Sequence, residues 1–255
     1  MRKILSYNVN GIRSATKKGL LDWIKSVDPD IICFQEMKAH TADLELALRE
    51  PEGYHAYWHA AEKKGYSGVG IWSKEKPKHI EVGCGMEVYD REGRVLRADF
   101  DGYSVISLYL PSGTSGEERQ ALKEEFMRDF LVYVQNLLKE IPNLIISGDY
   151  NICHKPIDIH DPVGNKKSSG FLPHEREWLS EFMGIGMVDS FRLFNQEPHQ
   201  YTWWSQRANS RERNKGWRID YQLVSQAFVD HCRAHVIYPD AKHSDHAAIE
   251  LTIAV

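Results

Sequence analysis

Leu96-Arg97-Ala98-Asp99-Phe100-Asp101-Gly102-Tyr103-Ser104-Val105-Ile106-Ser107-Leu108-Tyr109-Leu110 sets two β-rich runs on either side of an Asp-Gly pair. Asp-Gly accepts the positive φ angles of a tight hairpin turn, so Leu96 to Phe100 and Tyr103 to Leu110 are expected to pair antiparallel. Further apolar runs recur at Ile4 to Val9, Ile31 to Gln35, Gly68 to Ser73, Leu144 to Ser147, Ile219 to Val224 and Ala247 to Ile253. Helices fall between some of them. Leu20, Leu21 and Ile24 form an apolar stripe after Gly19, and Trp178, Leu179, Phe182 and Met183 form another after Pro173. In the longest helix Ser115-Gly116-Glu117-Glu118 reads as a capping box. Leu122, Phe126, Phe130, Val134, Leu137, Leu138 and Ile141 then recur at three- and four-residue steps until Pro142. Strands outnumber helices, and hairpins disfavour an all-parallel sheet. The expected α/β fold is two largely antiparallel sheets packed face to face, helices on their outer faces, with strand-end loops forming a mouth at one edge.

The 255 residues hold no low-complexity block, repeat or linker-like stretch, so a single domain over residues 1–255 is expected. Hydrophobic residues at 42% allow a sizeable core, while the longest apolar run is far short of the ~20 residues that span a bilayer, and no membrane partner is expected. Met1-Arg2-Lys3 stands directly before the strand at Ile4, leaving no room for a signal peptide, and a cytoplasmic product is the expectation. Cys33, Cys84, Cys153 and Cys232 form no CxxC pair and read as reduced thiols. The net charge of −4 argues weakly against wholesale polyanion binding, but its distribution is uneven. Arg207, Arg211, Arg213, Lys215 and Arg218 face one acid, Glu212, within a short segment.

Three distant stretches carry oxygen ligands: Gln35-Glu36, Gly148-Asp149-Tyr150-Asn151 and Ser244-Asp245-His246. Glu36 and Asp149 each follow a buried apolar run, so both are expected where a strand ends. Carboxylates and amides gathered at one edge suit Mg²⁺ or Mn²⁺, whereas zinc would ask for His and Cys at close spacing. Metal-assisted phosphoryl hydrolysis is the chemistry implied. Each residue also has a plainer reading. Asn8 and Asn10 beside Gly11 could satisfy a turn, Glu36 could be a surface acid paired with Lys38, and Asp149 could close an Asx turn. Asp149 and Asn151, two apart on an extended segment, would share one face. Asp220, inside a β-rich run, needs a buried partner, and a His is the natural candidate. Tyr201, Trp203, Trp204 and Trp217 flank the basic cluster, a combination that suits nucleic acid, although a buried Trp is as readily core. No GxGxxG or Walker A pattern competes.

Together these motifs resemble the exonuclease III type of apurinic/apyrimidinic endonuclease within the endonuclease/exonuclease/phosphatase superfamily. The resemblance spans nearly the whole chain: Asn8-Val9-Asn10-Gly11-Ile12-Arg13, Gln35-Glu36, Gly65-Tyr66-Ser67-Gly68-Val69, Tyr109-Leu110-Pro111, Gly148-Asp149-Tyr150-Asn151, Gly164-Asn165-Lys166-Lys167, Gly170-Phe171, Tyr201-Thr202-Trp203-Trp204, Gly216-Trp217-Arg218-Ile219-Asp220-Tyr221 and Ser244-Asp245-His246. It implies a four-layer sandwich of two mainly antiparallel sheets flanked by helices. It implies Glu36 as the main Mg²⁺ ligand, with Asn8 and Asp245 nearby, Asp149 as the base acting on water, and Asn151 holding the water and metal environment. Tyr109 would contact the scissile phosphate, and His246 paired with Asp220 would stabilise its developing charge. Trp203, Trp217 and Ile219 match a small apolar pocket for a flipped abasic sugar, while Asn165, Arg207, Arg211 and Lys215 would meet the DNA backbone. Ser112 and Ser168 stand where the family often carries Asn, and Asn10 where some relatives carry Asp.

The implied function is Mg²⁺-dependent hydrolysis, in double-stranded DNA, of the phosphodiester 5′ to an abasic site, leaving a 3′-hydroxyl. Trimming of damaged 3′ ends is implied alongside it, and a monomer is expected. The alternative within the superfamily is mainly a 3′-to-5′ exodeoxyribonuclease or 3′-phosphatase using the same site. Intact Glu36, Asp149, Asp220, Asp245 and His246 argue against a binding protein with a decayed site, since clustered acids repel phosphate.

Overall fold

The computed structural model describes all 255 residues. Its strands are β1 (Arg2–Asn8), β2 (Ile31–Gln35), β3 (His55–His59), β4 (Val69–Ser73), β5 (His79–Val82), β6 (Val95–Asp99) and β7 (Ser104–Tyr109), then β8 (Leu144–Asp149), β9 (Met187–Asp189), β10 (Trp203–Trp204), β11 (Gly216–Trp217), β12 (Asp220–Ser225), β13 (Cys232–Tyr238) and β14 (Ala248–Ile253). The helices are α1 (Ile12–Lys17), α2 (Leu20–Val27), α3 (Leu46–Arg49), α4 (Glu87–Asp90), α5 (Glu117–Glu140), α6 (Pro173–Gly184) and α7 (Ser190–Phe194). No helix is long and apolar enough to cross a membrane.

Two six-stranded sheets form, in the orders β13-β14-β1-β2-β4-β3 and β5-β6-β7-β8-β12-β9. Ile4, Ile31, Ile71 and Leu251 of the first pack against Leu96, Val105, Ile145 and Val224 of the second. α2 covers the outer face of the first sheet through Leu20 and Ile24, and α5 and α6 cover the second through Phe126, Phe130 and Phe182. The result is the four-layer sandwich of helix, sheet, sheet and helix.

The expected hairpin is present, with β6 and β7 antiparallel and the Phe100 amide donating to the Tyr103 carbonyl at 2.9 Å. Each sheet also holds one parallel pair at its centre, β1 with β2 and β7 with β8. Both pairs are joined through helices, as a parallel connection requires. Gly148 serves the second pair, because a Cβ there would collide with the carbonyl of Leu108. The expected capping box does not form: α5 starts at Glu117 behind Gly116, with no side-chain cap. Ser115 lines a cleft instead.

This topology delivers the candidate residues to one edge. Parallel pairs carry their C-terminal ends in register, so Asn8 faces Gln35 and Tyr109 faces Asp149. Antiparallel neighbours contribute their N-terminal starts at the same edge: Asp220 opens β12 directly opposite Asp149, and Asp245 and His246 precede β14 beside the end of β1. Under this edge lies a buried polar seam. Gln35 Nε2 donates to Ser107 Oγ at 3.2 Å, and Gln222 Nε2 donates to the Ile4 carbonyl at 2.9 Å and to Ser147 Oγ at 3.1 Å. Hydrogen bonds of fixed geometry between the sheets set their relative register more tightly than apolar contacts alone.

Candidate active site

Three residues just beyond strand ends have positive φ: Asn10 (44°), Glu36 (52°) and Asn151 (51°). Such values are disfavoured for side chains with a Cβ, and here they turn the chain sharply so that polar side chains aim back over the strand ends. Asn151 therefore does not share an extended segment with Asp149. It returns by an Asx turn, its backbone N–H donating to Asp149 Oδ1 at 2.8 Å and its amide to the Leu110 carbonyl at 2.9 Å. The plainer reading and the site coexist in these atoms.

Glu36, Asp149 and His246 bring potential ligand atoms within 4.8 Å of one another. Asn8 is fully buried and spans the two carboxylates, its amide donating to Glu36 Oε1 and Asp149 Oδ2, both at 2.9 Å. Its side-chain oxygen accepts from the Asn10 backbone N–H at 3.0 Å, so Asn8 ties both carboxylates to the turn that follows β1. Asn10 donates to Asp245 Oδ1 at 2.9 Å. Lys38 Nζ bonds both Glu36 Oε2 and Asn10 Oδ1 at 2.6 Å, so the expected Glu36–Lys38 pair lies inside the site. Trp203 Nε1 donates to the other Asp245 oxygen at 3.2 Å.

His246 Nδ1 meets both Asp220 oxygens, at 2.9 and 3.1 Å, which leaves Nε2 facing Asp149 Oδ2 at 3.9 Å. Burial opposes the imidazolium, yet the charge of Asp220 and its hydrogen bond, helped by Asp149 and Asp245, raise His246 to about 10. Burial and the nearby Asp220 charge push Asp149 up to about 8, against His246. Burial resists ionisation of Glu36 as well, but Lys38 and Asn8 hold its carboxyl below the usual range. Asp245 is likewise held low against burial, by His246, Asn10 and Trp203. Burial and the charge of Glu36 keep the Tyr109 hydroxyl protonated far into the alkaline range. The arrangement therefore offers Glu36 and Asp245 held toward the carboxylate form, Asp149 with a raised proton affinity, and an imidazolium at His246 paired with the charge of Asp220. The donors within reach are oxygens and a single imidazole with no thiolate, which fits a hard divalent cation.

Glu36, Tyr109, Asn151, Asp245 and His246 line a cleft of about 910 Å³. One wall is apolar: Trp203 and Trp217 meet edge to face at 6.1 Å and pack on Ile219, Phe171 and Ile159. An isolated bridge between Trp203 and His246 ties this wall to the acids. A lip of Ser112-Gly113-Thr114-Ser115-Gly116 also lines the cleft, as do Lys167 and Ser168. Asn165 lies on the neighbouring turn, its amide donating to the Asp161 carbonyl at 2.8 Å.

The basic segment divides. Arg207 and Lys215 are exposed, but Arg211 turns inward. Its guanidinium lies 4.7 Å from the Trp204 ring and donates to the carbonyls of Pro239, Ala241 and Ser244 at 2.8–2.9 Å. It clamps the loop that delivers Asp245 and His246, a set of contacts that the sequence did not signal. Arg218 is also spent inside, on Asp158 and Asp189. Sequence reasoning passed over Arg94, which donates to the Tyr109 carbonyl at 3.0 Å with its guanidinium 5.0 Å from the Tyr109 ring. The available signal was a charged residue leading the apolar run into β6.

A model of the endonuclease/exonuclease/phosphatase family matches residues 5–246. The chain is 39% identical over 255 residues to an exodeoxyribonuclease of Bacillus subtilis, covering 99% of this chain and 100% of that relative. An AP endonuclease from Archaeoglobus fulgidus superposes with a TM-score of 0.91 at 29% identity, over 100% of both chains. The 3′ phosphatase NExo from Neisseria, bound to a product DNA hairpin, superposes with a TM-score of 0.92 at 26% identity, over 100% of both.

Proposed function

The chain belongs to the endonuclease/exonuclease/phosphatase family, and we propose that it is a Mg²⁺-dependent DNA repair nuclease cutting the phosphodiester 5′ to an abasic site to leave a 3′-hydroxyl. One observation carries this reading above all: the acid cluster and the Trp203–Trp217–Ile219 wall share one cleft, joined at His246. A sugar without its base is the part of DNA that fits a small apolar recess, and it costs least to extrude.

Glu36, Asp149 and Asp245 would hold the cation, with Asn8 fixing the distance between the first two. When bound, Mg²⁺ supplies a Lewis acid for the phosphate oxygens. Asp149, the carboxyl with the raised proton affinity, takes the proton of the attacking water, and Asn151 orients that water. Tyr109, kept protonated, donates to the scissile phosphate. His246, held as imidazolium by Asp220, faces the charge that develops on that phosphate. Arg207 and Lys215 follow the DNA backbone from the exposed loop, and Asn165 meets it from the turn beside Lys167 and Ser168.

Trimming of damaged 3′ ends at the same site is part of the proposal. The lip from Ser112 to Gly116 carries only small side chains, leaving room for a strand end. A cytoplasmic monomer completes the reading, and four free cysteines suit a reducing compartment. The test is a duplex with one abasic site, incubated with Mg²⁺ beside an undamaged duplex and an EDTA control. Metal-dependent incision at the lesion is expected. Loss from 3′ ends without internal incision would replace the endonuclease with an exonuclease or 3′-phosphatase, and no cleavage would overturn both.

A further inference from the structure

α5 presents Lys123 to the interior between its apolar residues, and the side chain is completely buried. Its ammonium meets the equally buried Glu175, in the first turn of α6, at 2.6 Å. A buried ion pair of this kind is weak evidence for stability, because well-packed apolar residues of similar volume serve a core at least as well. What the pair holds is more telling. Lys123 Nζ also donates to the Asn151 carbonyl at 2.9 Å. Glu175 Oε2 accepts the backbone N–H groups of Gly170 at 2.6 Å and Leu172 at 3.0 Å, while Oε1 accepts from Gln120 at 3.1 Å beside the lysine.

Asn151 belongs to the floor of the cleft and Gly170 to its wall. Gly170 has φ of +93°, and a Cβ there would stand 3.1 Å from both the Asn151 carbonyl oxygen and the Trp217 ring. The two backbones are thus pressed together, and the charge pair grips one from each side. We propose that Lys123 and Glu175 are positioning residues of this active site: their buried pair fixes Asn151 against the Gly170–Trp217 wall, so that hydrolysis and lesion recognition keep one geometry. The proposal rests on the nuclease reading above.

The experiment compares wild type with Lys123→Met, Glu175→Gln and the double variant on the abasic duplex. Thermal melting, kcat and KM are measured for each. Each single variant leaves one buried charge or donor without its partner, and both are expected to lower melting temperature and kcat. The double variant removes both charges and is expected to regain most of the melting temperature while kcat stays at least about tenfold down, the scale of a small misplacement of a catalytic group. If kcat returns together with stability, the pair is structural only and the proposal fails. Glu175→Asp is a second probe: it keeps the charge but cannot reach Lys123 and the Gly170 amide together. A folded Glu175→Asp protein with wild-type kcat would also overturn the proposal. Absence of incision by the wild type would instead sink the nuclease reading, so the two failures are distinguishable.

Discussion

The strand-end acids and the basic loop over residues 207–215 differ in how tightly the fold constrains them. Asp149, Asp220 and His246 are at most 4% exposed and stand on or beside paired strands, each held by a fixed partner. Arg207, Arg213 and Lys215 are exposed on a series of turns. Catalytic groups must be placed to a fraction of an ångström, which rigid elements with satisfied neighbours achieve. Phosphate contacts tolerate adjustment, so cations on a loop suffice for them. Arg211 lies between the exposed members of that loop, yet its guanidinium is held by backbone carbonyls of the segment leading to Asp245 and His246.

That contrast can be broken by substitution. Asp149→Asn removes the proposed proton acceptor and should lower kcat by about 10³-fold while DNA binding persists, read by single-turnover incision beside a binding isotherm. Asp220→Asn should cost about 10²-fold through a mis-set imidazole, with a shifted pH profile. Arg211→Ala should behave like an active-site variant. A kcat loss of about tenfold and a lower melting temperature are expected, with the salt dependence of binding unchanged. A flattened salt slope in that variant would return Arg211 to the phosphate-contacting group. Arg207→Ala with Lys215→Ala should do the reverse, flattening the log–log salt slope by up to about 1.8, or about 0.9 per lost phosphate contact, while kcat at saturating DNA holds.

The smallest expected effect concerns pH. Without metal, the raised Asp149 value removes stability as pH climbs from 3.8 to about 8, because the unfolded chain ionises first. The raised His246 value contributes stability below its ordinary 6.5 that is lost as pH climbs toward about 10. Both trends weaken the metal-free protein in alkali. Mg²⁺ should therefore raise the melting temperature by more at pH 8.5 than at pH 6.5, and Glu36→Gln should abolish that increment. An equal shift at both values would separate Asp149 from the metal.

The eight strands expected from sequence are the eight interior strands of the two sheets; β3, β5, β9 and β13, which went unseen, are the four edges. Interior strands are buried on both faces and read as apolar runs, whereas β5 (His79-Ile80-Glu81-Val82) is mostly exposed and carries no such signature. Asn8, Glu36, Asp149, Asp245 and His246 could be singled out because polar side chains directly beside apolar runs are conspicuous. The orientation of the Asn8 amide, the left-handed turn at Asn151 and the buried Lys123–Glu175 pair had no comparable signal. Lys123 stands in a helix stripe as one more charged residue until α6 places a carboxylate against it.

Local residue type marks which segments become central strands, that oxygen ligands gather at their ends, and that tryptophans and cations lie close by, since burial and turn chemistry are written there. Tertiary structure alone decided which of those groups touch. The parallel pairs at the centre of each sheet bring Asn8, Glu36, Tyr109 and Asp149 to one edge from far-separated positions. Packing also chose which cations face solvent and which hold a loop, because the direction of a long side chain depends on neighbours that the chain supplies only after it has folded.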